Sequence, residues 1–347
     1  MATVLDANGL RYAQLASNPS SPVEGQVYYN TTKKELRQFD GEQWQQVAVG
    51  DGGFKYRTVI TTSYVMCGYK SSTPYNNANR MVHSTDVMTD LGNIMAYTTS
   101  YSCGAPSRTK SWVFGAANAH STASVNCIAL NHATETGVAY SSANNMTSGR
   151  NDAGAAFKET EYCHVTSNTT SDKFNFTTDT SAAGLTGIIA NGSHDGVQAL
   201  CDQNKAGLYG DGTGQMLTFA TDTVGADFLD SAAAIVGVHT QQKPINSKDR
   251  KGYFGNEGSY NGGYNYRVLD LNTNTLSRIV TKVMTNMGEE NYDMGQEHQY
   301  CMGHYDGAQN NRGHKFFYTT DSGYELGAGS VRTGIPGGSS GACGWKG

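Results

Sequence analysis

Trp112-Val113-Phe114-Gly115, then Val125-Asn126-Cys127-Ile128-Ala129-Leu130, then Thr134-Glu135: this succession decides the fold. An aromatic or apolar pair runs into glycine, an apolar strand follows, and a Thr-acid pair closes the unit. The order recurs along the chain. The first marker returns as Tyr64-Val65-Met66-Cys67-Gly68, Leu208-Tyr209-Gly210, Tyr253-Phe254-Gly255 and Tyr300-Cys301-Met302-Gly303, with Tyr162-Cys163-His164 lacking the glycine. Trp345-Lys346-Gly347 reads as the same marker once more. The closing pair returns as Thr85-Asp86, Thr178-Asp179, Thr221-Asp222, Thr273-Asn274 and Thr320-Asp321, with successive spacings of 49, 44, 43, 52 and 47 residues. A third apolar run follows the turn, as in Gly92-Asn93-Ile94-Met95-Ala96-Tyr97, Gly187-Ile188-Ile189-Ala190 and Ala232-Ala233-Ala234-Ile235-Val236-Gly237.

A repeat with three to four strands is the content of one propeller blade. A single blade cannot bury both faces, so blades stack and share a core. Radial closure leaves only short, protected edges. The expectation is an all-β chain whose residues 54–347 form a β-propeller of about six blades, with a seventh left open. Phe54-Lys55-Tyr56-Arg57-Thr58-Val59-Ile60 is expected to be an extra first strand, and the two ends of the array to share one blade. The marker glycine suits a bend or a crowded axis. The acid of each Thr-acid pair is expected to cap the backbone of its own turn.

Composition agrees. The chain has 347 residues, 42 Gly and 21 Tyr but only 6 Pro. Tyr and Thr favour pleated strands, and Gly and Asn favour the turns between them. A hydrophobic fraction of 37% with a net charge of −5 argues against disorder. With 16% charged residues and no basic excess there is no electrostatic footprint for nucleic acid. No run approaches the ~20 apolar residues of a membrane span. Met1–Asp6 carries no basic or apolar signal segment, and the seven cysteines, none in a CxxC pair, are expected to be reduced and buried.

Residues 1–53 do not share the repeat. Gly25–Asn30 alternates toward a turn at Thr31–Lys34, Glu35–Phe39 returns, and Asp40-Gly41 is a tight-turn dipeptide before Gln43–Val49. Gly50–Gly53 reads as a hinge. Three strands make a thin core that gains by docking on something else. Tyr28, Tyr29, Phe39 and Trp44 are the expected apolar docking side.

The repeats resemble a diverged kelch-type array, although the paired glycine of that family is nearly always single here. Thr319-Thr320-Asp321-Ser322-Gly323-Tyr324-Glu325-Leu326 resembles the Asp-box turn of sialidase propellers, with Leu326 where an aromatic is usual. That turn is structural. Glycoside hydrolysis of the sialidase kind needs an arginine cluster, a tyrosine nucleophile and an acid, and no spacing singles these out. Glu297-His298 with His304 and Asp306 lacks a metal-ligand spacing. No catalytic residue, metal or cofactor is expected. Two loops rich in Tyr, Asn, Gly and Ser, around Tyr260, Asn261 and Tyr264 and around Tyr305 and Asn310, have the chemistry of adaptable binding surfaces.

Residues 8–49 resemble a module of bacteriophage virion proteins, especially tail-fibre and appendage proteins. The carrying residues are Leu15-Ala16-Ser17-Asn18-Pro19-Ser20-Ser21-Pro22-Val23-Glu24-Gly25-Gln26-Val27-Tyr28-Tyr29-Asn30-Thr31 and Leu36-Arg37-Gln38-Phe39-Asp40-Gly41-Glu42-Gln43-Trp44. The resemblance implies a non-enzymatic virion component, made in the bacterial cytoplasm and present in several copies. Residues 1–53 would bind other virion proteins, and the propeller would meet a host-surface glycan or protein, as an adhesin or a decoration. A lectin-like propeller and a glycosidase are the alternatives.

Overall fold

The structure, a computed structural model, describes residues 4–46 and 61–346 except 116–123, 189–196, 228–250, 258–264, 279–290, 327–341 and shorter breaks of one to three residues. The chain divides into two compact units, Met1–Lys55 and Tyr56–Gly347. Among the described residues the regular structure is strand, without an α-helix.

In the first unit β1 (Val4–Asp6) and β2 (Gly9–Arg11) form a two-stranded sheet. A second sheet has the order β3 (Gln14–Leu15), β4 (Val27–Asn30), β5 (Glu35–Phe39), β6 (Trp44–Gln46). The three later strands are the expected meander. The added strand, β3, runs parallel to β4, and backbone bonds from Tyr29 N–H to Ala13 O and from Thr31 N–H to Leu15 O hold it there. Two residues are too short a run to show alternation in sequence.

Among the described residues the second unit forms six small sheets, numbered I to VI. Sheet I begins with β7 (Thr62–Lys70), β8 (Thr73–Val82) and β9 (Val87–Gly92). Sheet II is β10 (Cys103–Pro106), β11 (Lys110–Phe114), β12 (Cys127–Asn131), β13 (Thr136–Ala139). Sheet III is β14 (Gly154–Lys158), β15 (Tyr162–Ser167), β16 (Thr170–Asn175), β17 (Thr180–Thr186). Sheet IV is β18 (Gln198–Cys201), β19 (Lys205–Gly210), β20 (Thr213–Thr218), β21 (Thr223–Asp227). Sheet V has three described strands, β22 (Lys251–Glu257), β23 (Asn265–Asp270) and β24 (Thr275–Arg278). Sheet VI is β25 (Asn291–Met294), β26 (His298–Tyr305), β27 (Gln309–Phe317), β28 (Ser322–Glu325). The last strand, β29 (Ala342–Lys346), returns to sheet I and pairs antiparallel with β7, giving the order β29-β7-β8-β9.

The two ends of the array therefore share a sheet. The C-terminal run has a different place from the one expected of it: Trp345 lies in a first strand, whereas the aromatic markers occupy second strands. By register Cys343-Gly344 corresponds to Gly104-Ala105 of β10. The segment Phe54–Ile60, expected as an extra strand, lies outside the described residues.

The first strands of sheets II and III are built largely from small residues, because neighbours press on them. All four residues of β10 are buried, as are Gly154-Ala155-Ala156-Phe157 of β14. Strand β10 packs against β29 and β14, β14 against β18, and β25 against β29. A Cβ on Gly154 would lie 2.5 Å from the Val197 carbonyl oxygen of the segment entering β18. This is where the sheets crowd. The marker glycines sit elsewhere and serve bends: Gly68 has φ 131° and Gly115 has φ 72°.

Side-chain alternation gives each sheet two apolar faces, one for each neighbour. Tyr64, Met66 and Ala78 of sheet I pack on Val113, Ile128 and Leu130 of sheet II. Val65, Met81 and Met88 turn the other way onto Tyr300 and Leu326 of sheet VI. One continuous core joins sheets II, III and IV through Trp112, Phe114, Phe174 and Phe157, and a smaller one joins IV to V through Tyr209, Leu269 and Leu271. Fourth strands are mostly exposed, as in β17. The apolar run expected as a strand after the turn is instead, at Gly92–Tyr97 and Gly187-Ile188, the connection to the next sheet, while Ala232–Gly237 lies outside the described residues. Met95 and Ile188 are buried there, after glycines of positive φ at Gly92 and Gly187. An exposed fourth strand has little use for apolar residues, and the connection beneath it does.

Five cysteines, Cys67, Cys103, Cys127, Cys163 and Cys201, are buried. Burial pushes the Cys127 thiol up to about 12 and that of Cys163 well above its ordinary value. Neutral buried thiols of this kind are poor nucleophiles.

Candidate functional site

The Thr-acid turns have two sets of polar contacts. Within a turn, the residue three positions before the threonine does the capping. Asn131 Oδ1 accepts from the N–H groups of Ala133 and Thr134, Asn175 Oδ1 from Thr177 and Thr178, and Asp270 Oδ1 from Asn272 and Thr273. The threonine hydroxyl meets the hydroxyl two residues on at 2.6–2.7 Å in five turns. The acid expected to cap its own turn is thus freed from that task. It sits in the left-handed region, at Asp86, Glu135, Asp179, Asp222 and Asn274, with φ between 48° and 56°. Asp and Asn tolerate that conformation better than most residues.

From there each of these side chains crosses to the preceding sheet. Glu135 accepts from Tyr64 and Arg80 of sheet I. Asp179 pairs with Lys110 of sheet II at 2.5 Å. Asp222 binds Tyr162, His164 and Lys173 of sheet III. Asn274 accepts from Lys205 of sheet IV. Asp86 of sheet I binds Tyr300 and, at 2.7 Å, Lys315 of sheet VI. Burial alone would raise the Asp86 carboxyl, but bonds from Lys315 and Tyr300 outweigh it and hold the group below its usual range. Lys173, His164 and Tyr162 do the same for Asp222. Asp321 lies outside the described residues.

These latches fix a common orientation for the sheets. The third-to-fourth turns share one end, so the second-to-third hairpins share the other. Those hairpins are unequal. In sheets III and IV they close at Ser167↔Thr170 and Gly210↔Thr213. In sheets V, VI and I the hairpins are extended and bulged near the marker glycine: between Phe254 and Glu257, Met302 and His304, and Met66 and Gly68. Bulges of this kind bend a strand and re-aim it.

The expected binding residues fall on these hairpins. Tyr260, Asn261 and Tyr264 lie outside the described residues. Tyr305 and Asn310 are not in a loop: they end β26 and begin β27, paired as Tyr305↔Gln309 and His304↔Asn310. Strand pairing continues past the bulge because polar and aromatic residues suit an exposed hairpin as well as a loop. The sheet I hairpin was not anticipated. Its base, Tyr75 and Asn76, is flanked by residues 95–99: Thr99 N–H bonds Tyr75 O, Met95 N–H bonds Asn76 O, and Asn76 Nδ2 donates to Met95 O at 3.0 Å. Between those anchors Tyr97 is 42% exposed. The Tyr and Asn content of Tyr69–Asn77 was the available signal.

The docking residues need a correction. The pleat places Tyr28, Phe39 and Trp44 on one face of the first unit's sheet and Tyr29 on the other. Tyr28 is fully buried, with Trp44 edge-on at 4.8 Å and its hydroxyl donating to Asn18. Tyr28 is thus the core of this unit rather than part of an open apolar side. Tyr29, Phe39 and Trp44 are half-buried.

Two Ser–His pairs have the contact that begins a nucleophile arrangement: Ser63 with His83 at 2.7 Å and Ser111 with His132 at 2.8 Å. They occupy equivalent positions in sheets I and II, and both serines are fully buried. That is the signature of a repeated packing element. No group of three or more His, Cys, Asp or Glu side chains among the described residues could hold a metal ion. Arg150 and Asp172, also buried, form a polar anchor between the connection after sheet II and sheet III. Arg150 donates to Asp172 Oδ2 at 2.8 Å and to the carbonyls of Ser167 and Thr170, and Thr147 donates to Asp172 Oδ1.

No protein-family model and no curated protein sequence matches the chain. Among solved structures, the chain is similar to the crystal structure of TolB from Acinetobacter baumannii, at 10% identity and a TM-score of 0.49. That match covers 82% of this chain and 66% of the other, just under two thirds of its length.

Proposed function

We propose that the protein is a non-enzymatic bacteriophage virion component, with residues 1–53 docking to other virion proteins and the second unit displayed for host-surface adhesion or decoration. The observation that carries this reading is the virion-type pattern Pro22–Thr31 with Leu36–Trp44, fused to an array of repeated sheets. Tyr29, Phe39 and Trp44 keep enough exposure to meet a partner. The repeating residues serve turns and packing, which supports a display scaffold over a catalyst.

In this reading the second unit is a closed six-bladed β-propeller. The support is the cyclic order of contacts: latches run from sheet II to I, III to II, IV to III, V to IV, and I to VI. Strand β29 completes sheet I from the far end of the chain.

Deleting residues 1–53 tests the assignment. Loss of the protein from purified particles, with the remaining chain still folded and soluble, is the expected result. Undiminished incorporation overturns it.

A further inference from the structure

Independently of the virion reading, we infer that the seam between sheets VI and I is an acid-released clasp: proton uptake by His298 parts sheet VI from sheet I while the other seams stay packed. Three observations converge. First, histidines from both sheets face each other across this seam. His298 begins β26 of sheet VI, and His83 follows β8 of sheet I. Their rings lie 5.3 Å apart, and the Tyr300 ring stands 5.1 Å from His83 and 4.9 Å from His298. Second, the charge around them is already balanced. Lys315 of β27 lies over the rings of Tyr300 and Phe317, which flank His298. Its ammonium is paired with Asp86. The Asp86 carboxylate also accepts from Tyr300 and faces the Tyr324 hydroxyl of β28 at 3.5 Å. With His83, these are the titratable and charged groups around His298 among the described residues. A proton on His298 therefore adds a charge beside Lys315 that no free carboxylate offsets. Third, His298 Nε2 is buried, with no hydrogen-bond partner among the described residues. In an imidazolium that nitrogen must donate, and no acceptor meets it.

The histidines of other seams are placed differently. His132 stacks flat on Tyr64 across the I–II seam and meets Ser111. His164 at the III–IV seam lies 3.1 Å from Asp222. Burial lowers His164 too, but Asp222 pulls the other way. His298 is pushed down to about 3, by burial first and then by Lys315 and His83, while Asp86 opposes them weakly. Once the sheets part, the ring is solvated and titrates near about 6.5. Parting is thus coupled to proton uptake below about pH 6.5 and not above it. The open population rises up to about tenfold for each pH unit below that value. The VI–I seam is also thinly packed. Among the described residues its apolar cluster is Val65, Met81, Met88, Tyr300 and Leu326, whereas one continuous core runs through sheets II, III and IV. Parting bares that small cluster and leaves the large one intact.

Hydrogen–deuterium exchange of the full-length chain at about pH 7.5 and about pH 4.5, corrected for the intrinsic rate, tests this. The expected result is that segments 81–88 and 298–300 open up to about 100-fold more often at the lower pH. Segments 111–114 and 171–175, at the II–III seam, keep their protection. His298→Phe removes the pH effect at the VI–I seam. His298→Asn, which cannot titrate either, serves as the second variant should the first fail to fold. Equal protection of the VI–I segments at both pH values, loss of protection spread evenly over all seams, or an undiminished pH effect in the His298 variants overturns the inference.

Discussion

The seam between sheets II and III and the seam between sheets VI and I solve one problem with different materials. At II–III the contact is aromatic: Trp112 and Phe174 lie 4.5 Å apart, Phe114 and Phe174 5.0 Å, and the buried Arg150–Asp172 pair stands behind them. At VI–I the apolar cluster is small, and much of the contact is titratable. His83, His298 and Tyr300 have ring centroids 4.9–5.3 Å apart, and Lys315 and Tyr300 meet Asp86. The first seam joins consecutive pieces of chain. The second joins pieces more than 200 residues apart, and its neighbour strand β29 arrives last. Stability and condition-sensitivity therefore occupy different seams of the second unit.

Ending the chain after Gly341 breaks the comparison most severely. It removes β29, the first strand of sheet I, and the expected loss is at least about 4 kcal/mol, among the largest effects of a local change. Chemical denaturation should show a broadened or missing cooperative transition. Arg150→Met attacks the other seam. It strands Asp172, which is fully buried, and should cost about 3–5 kcal/mol, the usual result of leaving one member of a buried pair without its partner. Adding Asp172→Leu should recover part of that loss, and a double-mutant cycle in denaturant measures how much.

Acid sharpens the contrast. Burial, with Lys315 and His83 nearby, pushes the His298 imidazole down to about 3, while Asp86 pulls weakly the other way. Unfolded, the same ring titrates near about 6.5, so below that pH the unfolded chain binds a proton that the folded chain refuses. Stability is complete above about pH 6.5 and falls as the pH drops toward the folded value, by up to about 1.4 kcal/mol per unit. His298→Phe should flatten the midpoint-versus-pH profile between pH 6 and pH 4. An unchanged slope would move the sensitivity away from the VI–I seam. The smallest effect is expected at the latches. Asp179→Asn and Asp86→Asn remove partly exposed ion pairs and should each cost about 0.5–1 kcal/mol, less in high salt. Melting curves at two ionic strengths check this.

The repeat was legible in sequence because turns constrain residues strongly. A left-handed position followed by a strand leaves few choices, and Thr-Asp, Thr-Glu and Thr-Asn satisfy it visibly. What the acids do next was not legible. Their partners lie about 50 to over 200 residues away, and no local spacing predicts a contact of that kind. First strands were missed for a related reason. Cys103-Gly104-Ala105-Pro106 looks like a weak strand until neighbours press on both faces, and then small residues become the requirement. The hairpin ends were half legible. Tyr305 and Asn310 were expected in a loop and lie in paired strand instead, and Tyr97 sits in a stretch that read as an apolar run after the turn, since sequence does not distinguish a strand from the connection after it. In the first unit, alternation alone separates Tyr28 from Tyr29, and register rather than composition shows which of them is core.

Strand β29 has a consequence for the making of the protein. Sheet I cannot be completed until β29 has left the ribosome, long after β7 has emerged. At synthesis rates of about 5–20 residues per second, the partial sheet waits on the order of tens of seconds with the β7 edge unpaired by its first strand. A product cut short before Ala342 would lack that partner. Sheet I is therefore completed only in molecules translated past β29.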